Sequence, residues 1–271
     1  MLAHIARQLR SRLIYDVGLK MNMLAVFDID GTICDTQEVE GACYANAIER
    51  VTGRSLATLD WTTYEEPTSS AIVRDLLGDD PAAFAKEEAI KREFVRLLEH
   101  QRPAFPGDFA PLPGAVRFIT RLTEESICSV AIATGCFDAS ARFKLACCGI
   151  ALDDFPHATS SDTPRRRDII PLAASRAGFP ISSVVYFGDA PWDVRVSGIL
   201  GVPMVGIGRR IERLRELGVQ HVFRDYSDAE IIIRVLCDLK KRPNQSSEPT
   251  STVVMPAAYA SVTPTALAAH L

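Results

Sequence analysis

Two carboxylates one residue apart, at the end of a short apolar run, restrict what this chain can fold into more than any other feature. Asp28-Ile29-Asp30-Gly31-Thr32 closes a nearly continuous apolar segment over residues 23–29. A run of that length bounded by a turn signal reads as a strand buried on both faces. Open α/β sheets gather their ligands at the carboxyl ends of such strands, so both acids are expected at a site. Alternate residues of an extended segment point the same way, and Gly31 permits a sharp exit. Neighbouring carboxylates repel unless a cation or a shared proton relieves them, and a hard divalent ion is the economical partner.

Similar apolar runs recur at 127–133, 184–187 and 202–207, and helical patterns alternate with them at 115–125, 139–148, 168–177 and 211–217. Strand–helix alternation predicts an α/β fold built on a doubly wound parallel sheet. Between the first strand and the helix at 115 lie about 80 residues with little strand signal, too many for a simple crossover. They predict an inserted α-helical cap domain over 37–104, with helices at 39–51, 69–77 and 81–100. The last carries Phe84, Ile90, Phe94, Leu97 and Leu98 at roughly helical spacing. The core is then 21–36 with 105–240. Residues 1–20 read as an N-terminal extension. Residues 241–271, where Pro, Ser, Thr and Ala replace any periodicity, read as a disordered tail.

Charge and cysteine usage exclude several classes. Lys plus Arg total 30 against 34 Asp plus Glu, for a net charge of -4, with no basic tract to attract a nucleic-acid backbone. No apolar run is long enough to span a bilayer. The seven cysteines are odd in number and lack C-x-x-C spacing. That pattern argues against a disulfide framework or zinc site and for reduced thiols in a cytoplasmic setting. Cys34 and Cys136 follow the acidic and Thr-Gly motifs closely, so oxidation there is expected to inhibit.

The D-x-D-G-T pattern resembles the first signature of the haloacid dehalogenase superfamily, and further segments fit in order. The strand ending Val130-Ala131-Ile132-Ala133-Thr134-Gly135 is similar to the second signature. Val184-Val185-Tyr186-Phe187-Gly188-Asp189-Ala190-Pro191-Trp192-Asp193 is similar to the fourth. The third departs from the usual lysine: Thr163-Pro164-Arg165-Arg166-Arg167-Asp168 stands there instead. The resemblance implies an arginine in the lysine's role, Arg166 first and Arg165 second, since a guanidinium suits bidentate contact with carboxylate or phosphoryl oxygens.

That resemblance implies a Rossmann-like core with a helical cap, as in phosphoglycolate phosphatase and β-phosphoglucomutase relatives, and a Mg2+-dependent phosphatase acting on a small phosphorylated metabolite. Asp28 would be the nucleophile forming an aspartyl-phosphate, and Asp30 the general acid and base. Thr134 and Arg166 would stabilise the transferring group. Gly31, Thr32, Thr134, Gly135 and Arg165 would surround the substrate phosphate. The ion would be held by Asp28, Asp189, Asp193 and the main-chain carbonyl of Asp30. An acid at the second position favours phosphate esters over halides or phosphonates. A phosphomutase, or a non-catalytic binding protein retaining the fold, remains the alternative. Glu40, Tyr44, Arg74 and Lys86 are polar positions in the cap that could meet a substrate, though each reads more readily as part of a solvated helix face.

Overall fold

The computed structural model describes residues 21–241. The expected extension over 1–20 and the tail beyond 241 lie outside the described residues. In order, the elements are β1 (Leu24–Phe27), α1 (Gln37–Thr52), α2 (Ser69–Leu77), α3 (Ala83–Gln101), α4 (Ala115–Glu124), β2 (Ser129–Ala133), α5 (Asp138–Cys147) and β3 (His157–Ala158). There follow α6 (Arg166–Arg176), β4 (Val184–Gly188), α7 (Pro191–Leu200), β5 (Met204–Ile207), α8 (Ile211–Glu216), β6 (His221–Phe223) and α9 (Ala229–Lys241). Residue 241, placed in the tail by composition, closes the last helix.

The strands form one six-stranded sheet in the order β3-β2-β1-β4-β5-β6, and every pairing is parallel. This is the doubly wound α/β architecture that the alternation predicts. Both sheet faces are dry, and side-chain alternation sorts the strand residues between them. Ala25, Phe27, Val130, Ile132, Val185 and Phe187 enter one cluster, with Phe118 of α4, Leu145 of α5 and Ile232 and Leu236 of α9. Leu24, Val26, Ala131, Ala133, Val184 and Tyr186 enter the other, with Ile169, Ile170 and Ala173 of α6 and Val196 of α7. The centre of the first cluster is aromatic: Phe27 stacks on Phe187 at 4.3 Å between centroids and meets Phe118 edge-on at 6.3 Å.

Helices α1, α2 and α3 form a helical insertion with its own apolar cluster of Ala47, Ile48, Val73, Ile90, Phe94 and Leu98, into which Phe109 and Phe137 also pack. One expected member is absent from it. Phe84, included by spacing, is 79% exposed at the start of α3. It falls in the first turn, ahead of the stretch of α3 that meets α1. No helix among the described residues is long and apolar enough to cross a membrane.

The chain runs outward from β1 through β2 to β3 and returns to β4 on the other side of β1. The reversal opens a crevice at the carboxyl ends of β1 and β4. Their register pairs Phe27 with Phe187, and the Asp28 amide donates to Phe187 O at 2.9 Å. The acidic residues that follow each strand are thereby brought face to face. Phe27→Ala removes a fully buried ring from under this crevice and is expected to lower unfolding free energy by about 3–5 kcal/mol, measured by chemical denaturation. A loss under about 1 kcal/mol would show that the aromatic stack is not what supports β1.

Candidate active site

Asp28 follows β1, Thr134 follows β2 and Asp189 follows β4, all of them buried. Arg166, the first residue of α6, reaches them from the side. Its phase explains why: Arg166, Ile169, Ile170 and Ala173 share the helix face turned to the sheet. The Arg166 Nη2 donates to Asp28 Oδ2 at 2.9 Å and to Asp193 Oδ1 at 2.7 Å, while Nε donates to the same Asp193 oxygen at 3.1 Å. Arg165, one residue earlier, is exposed and outside the cavity lining.

Asp193 is consumed by bracing. Its Oδ1 also accepts from Tyr186 Oη at 3.0 Å, and Oδ2 accepts the amides of Asp189 at 3.2 Å and Ala190 at 3.1 Å. An acid in the first turn of α7 satisfies otherwise orphaned helix amides, and here it anchors the guanidinium as well. Asp28 differs in one respect: Oδ2 is held by Arg166, but Oδ1 is buried without any partner. Burial pushes its pKa up to about 6 against the opposing pull of Arg166. Burial, then the Asp193 charge, likewise drives Asp189 well above the carboxylate range despite Arg210. Arg210 Nη1 lies 2.5 Å from Asp189 Oδ2, which also accepts from the Gln37 amide.

One oxygen from each of Asp28, Asp189 and Asp193 falls within 4.8 Å of the others. A hard cation fits this donor set: it is all-oxygen and anionic, and it includes a buried carboxylate oxygen without a partner. With the Asp193 oxygens already taken by protein donors, Asp28 and Asp189 are the carboxylates with capacity for an ion.

Asp30 lies just beyond the end of β1 and lines the same cavity as Asp28. The chain has left β1, and the Asp30 carboxylate is gripped by a second cation that the sequence reading did not single out. Lys144 Nζ sits 2.8 and 2.6 Å from the two Asp30 oxygens, 2.7 Å from Glu40 Oε1 and 2.9 Å from Cys136 Sγ. Thr36 Oγ1 and Cys136 Sγ also donate to Asp30. Burial alone would raise the Asp30 pKa, but Lys144, Cys136 and Thr36 hold it below the ordinary value. Glu40, shielded by burial and facing Asp30, is pushed up to about 7 despite the same lysine.

A cavity of about 110 Å³ lies between the sheet and the helical insertion. Asp28, Asp30, Thr134, Gly135, Arg166 and Asp189 form its inner wall; Gln37, Glu40, Tyr44 and Trp61 of the insertion, with Trp192 and Arg210, form the outer one. Gln37, Trp61, Trp192 and Arg210 also border an adjoining groove of about 570 Å³. Glu40 and Tyr44 thus face the cavity and not solvent. Arg74 and Lys86 do not line it; they pair with Glu87 and Asp80. Gly31 and Thr32 lie behind the lining: Gly31 makes the turn at φ 72°, and Thr32 O accepts from Tyr226 Oη at 3.0 Å.

Fold and site define an α/β enzyme with a charge-compensated carboxylate centre at the switch point of its sheet. The chain belongs to the haloacid dehalogenase-like hydrolases, whose family model matches residues 23–196. Solved structures with the same fold include a hydrolase from Pseudomonas syringae (24% identity, 78% of this chain and 97% of that one, TM-score 0.58). CbbY from Rhodobacter sphaeroides, in complex with phosphate, is similar over 77% of this chain and 96% of its own at 18% identity and TM-score 0.59. An Entamoeba histolytica haloacid dehalogenase hydrolase of family IA, variant 3, matches over 81% of this chain and 100% of its own at 18% identity and TM-score 0.61. No curated protein sequence matches the chain.

Asp193→Ala tests the bracing role. It strips Arg166 of its more heavily used partner, and breaking a buried pair on one side costs about 3–5 kcal/mol. The expected result is a loss of that size in denaturant unfolding. A loss under about 1 kcal/mol would mean that Asp28 alone suffices to hold the guanidinium.

Proposed function

We propose that this chain is a Mg2+-dependent phosphatase that hydrolyses a small phosphate monoester through an aspartyl-phosphate on Asp28. The observation that carries the reading is the state of Asp28: one carboxylate oxygen is fixed by Arg166, while the other is buried at the cavity and unpartnered. A nucleophile needs that asymmetry, with orientation set by one atom and attack made by the other.

Asp28 Oδ1 attacks phosphorus in line with the departing alkoxide. Arg166, charged and buried, faces the phosphoryl oxygens as negative charge builds, and Thr134 lines the same wall. Asp30 protonates the leaving oxygen and then takes a proton from the water that cleaves the acyl phosphate. In the free protein it is held as a carboxylate, which suits the second step. An arriving phosphate dianion adds negative charge nearby and raises its proton affinity for the first. Asp28 and Asp189, with the main-chain carbonyl of Asp30, would hold magnesium, which when bound supplies positive charge against the crowded anions and orients the phosphate.

Residues 37–104 serve in this reading as the cap: they supply the outer wall, so they select the ester and limit access of water. The cavity admits a phosphoryl group, and the adjoining groove leaves room for a modest leaving group. The substrate is a small phosphorylated metabolite.

Phosphate release from a panel of small monoesters, including phosphoglycolate and hexose phosphates, is expected to require magnesium, to stop with chelator and to fall at least ~1,000-fold in Asp28→Asn, since covalent catalysis is lost outright. Release that persists in Asp28→Asn would remove the aspartyl-phosphate. Isomerisation of a sugar phosphate that depends on a bisphosphate activator, with no net phosphate release, would identify a phosphomutase instead.

A further inference from the structure

Lys144 is the most unusual residue among those described. It lies within α5 and is fully buried, a condition a lysine rarely meets without charged partners. It has two, and both are acids of the cavity: Asp30, held through both oxygens, and Glu40, held through one. Burial works against the ammonium, yet Asp30 first, then Cys136 and Glu40, keep its pKa well above the ordinary lysine range. The mechanism above assigns it no part, because Arg166 already serves Asp28.

The contacts of Asp30 explain what a second cation does. Its Oδ1 takes Thr36 Oγ1 and Lys144; its Oδ2 takes Cys136 and Lys144. Thr36 is the N-cap of α1 but makes no capping bond with its side chain; its hydroxyl goes to Asp30. Glu40 sits one turn further along α1. The carboxylate is therefore suspended between α5 of the core and the first turn of the insertion; Lys144 bonds both of its oxygens and Glu40, and Cys136 Sγ also reaches Glu40, at 3.3 Å.

We propose that Lys144 is a positioning residue for Asp30: its ammonium, gripping both carboxylate oxygens, fixes the face that the acid–base group presents to the leaving oxygen. Its bond to Glu40 ties that orientation to the seating of the helical insertion. The inference rests on the phosphatase reading. It also makes a demand which that reading does not, because it separates esters by leaving group. An alkoxide needs a proton as it departs, whereas p-nitrophenolate leaves without one. A misaimed Asp30 therefore penalises the first ester and spares the second.

The test is kcat/KM, which reports the chemistry through formation of the phosphoenzyme, for an alkyl phosphate and for p-nitrophenyl phosphate, on the full chain with magnesium. In Lys144→Met the alkyl value is expected to fall on the order of 100-fold and the aryl value less than about 3-fold, within the range that general acid catalysis supplies. The kcat for the aryl ester still falls, because hydrolysis of the phosphoenzyme needs Asp30 as a base whatever group has left. In an Asp30→Asn background, Lys144→Met should leave the alkyl-to-aryl ratio where Asp30→Asn put it, since two residues acting as one unit are not additive. If Lys144→Met does not fold by thermal melting, Glu40→Gln carries the same comparison. It removes the charge from Lys144's partner on the insertion and is expected to lower the ratio a few-fold. Equal losses on both esters, or an unchanged ratio, would overturn the positioning role while leaving a phosphatase. No phosphate release from any ester by the unsubstituted chain would instead overturn the phosphatase reading, and this inference with it.

Discussion

Negative charge concentrated where two parallel strands end is the constraint around which the site is built. Asp28, Asp189 and Asp193 each place a carboxylate oxygen within 4.8 Å of the others, in a buried place with little water to screen them. Coulomb repulsion at such separations, at an effective dielectric constant near 20, is on the order of several kcal/mol for each unrelieved pair. Arg166 relieves two of the three, and Arg210 with Gln37 answers the third. The arginine must therefore be buried, must be planar to serve two acids, and must start a helix packed on the sheet. Asp193 meets the other half of the requirement by spending its oxygens on the guanidinium, a tyrosine and two helix amides. What survives without a hydrogen-bond partner among these three acids is one buried oxygen of Asp28.

The two acids of Asp28-Ile29-Asp30 line one cavity but answer to different cations. Asp28 belongs to the cation of α6 and Asp30 to the cation of α5, helices that flank opposite faces of the sheet. The consequence is opposite shifts, Asp28 upward and Asp30 downward. Assignment of acid–base roles generally rests on environments that push two titratable groups apart. Here one motif feeds both environments because the chain turns sharply at Gly31, where φ is 72°.

The strands were legible because burial on both faces leaves continuous apolar runs, and the acids that follow them were legible for the same reason. Edge strands were not: β3 has two residues and β6 three, too few to carry a period. Helix phase alone separates Arg166 from Arg165, since only the former lines up with Ile169, Ile170 and Ala173. Lys144 left a comparable trace that went unread. Ala141, Lys144, Leu145 and Cys148 follow the i, i+3, i+4, i+7 spacing of a buried stripe, and each is buried in the structure. A lysine on that stripe is a core position in need of an anion. No local pattern names Asp30 and Glu40 as its partners, because they lie 114 and 104 residues away. Phe84 is the converse, an apolar residue at plausible spacing whose turn faces solvent.

The helical insertion meets the core through bonds that end on residues of the cavity or beside them. The Ser69 amide donates to Gly135 O at 2.8 Å, Thr68 Oγ1 donates to Pro164 O at 2.6 Å, and Glu66 Oε2 accepts the Arg166 amide at 3.0 Å. Thr36 and Glu40 complete the set at Asp30 and Lys144. Loops that present catalytic groups are usually fixed by the scaffold beneath them. Here the α6 terminus, the Thr134-Gly135 turn and the Asp30 carboxylate are also held by the segment that forms the outer wall. Any change in how the insertion seats is therefore transmitted to the surroundings of Arg166 and Asp30 together, through the same bonds.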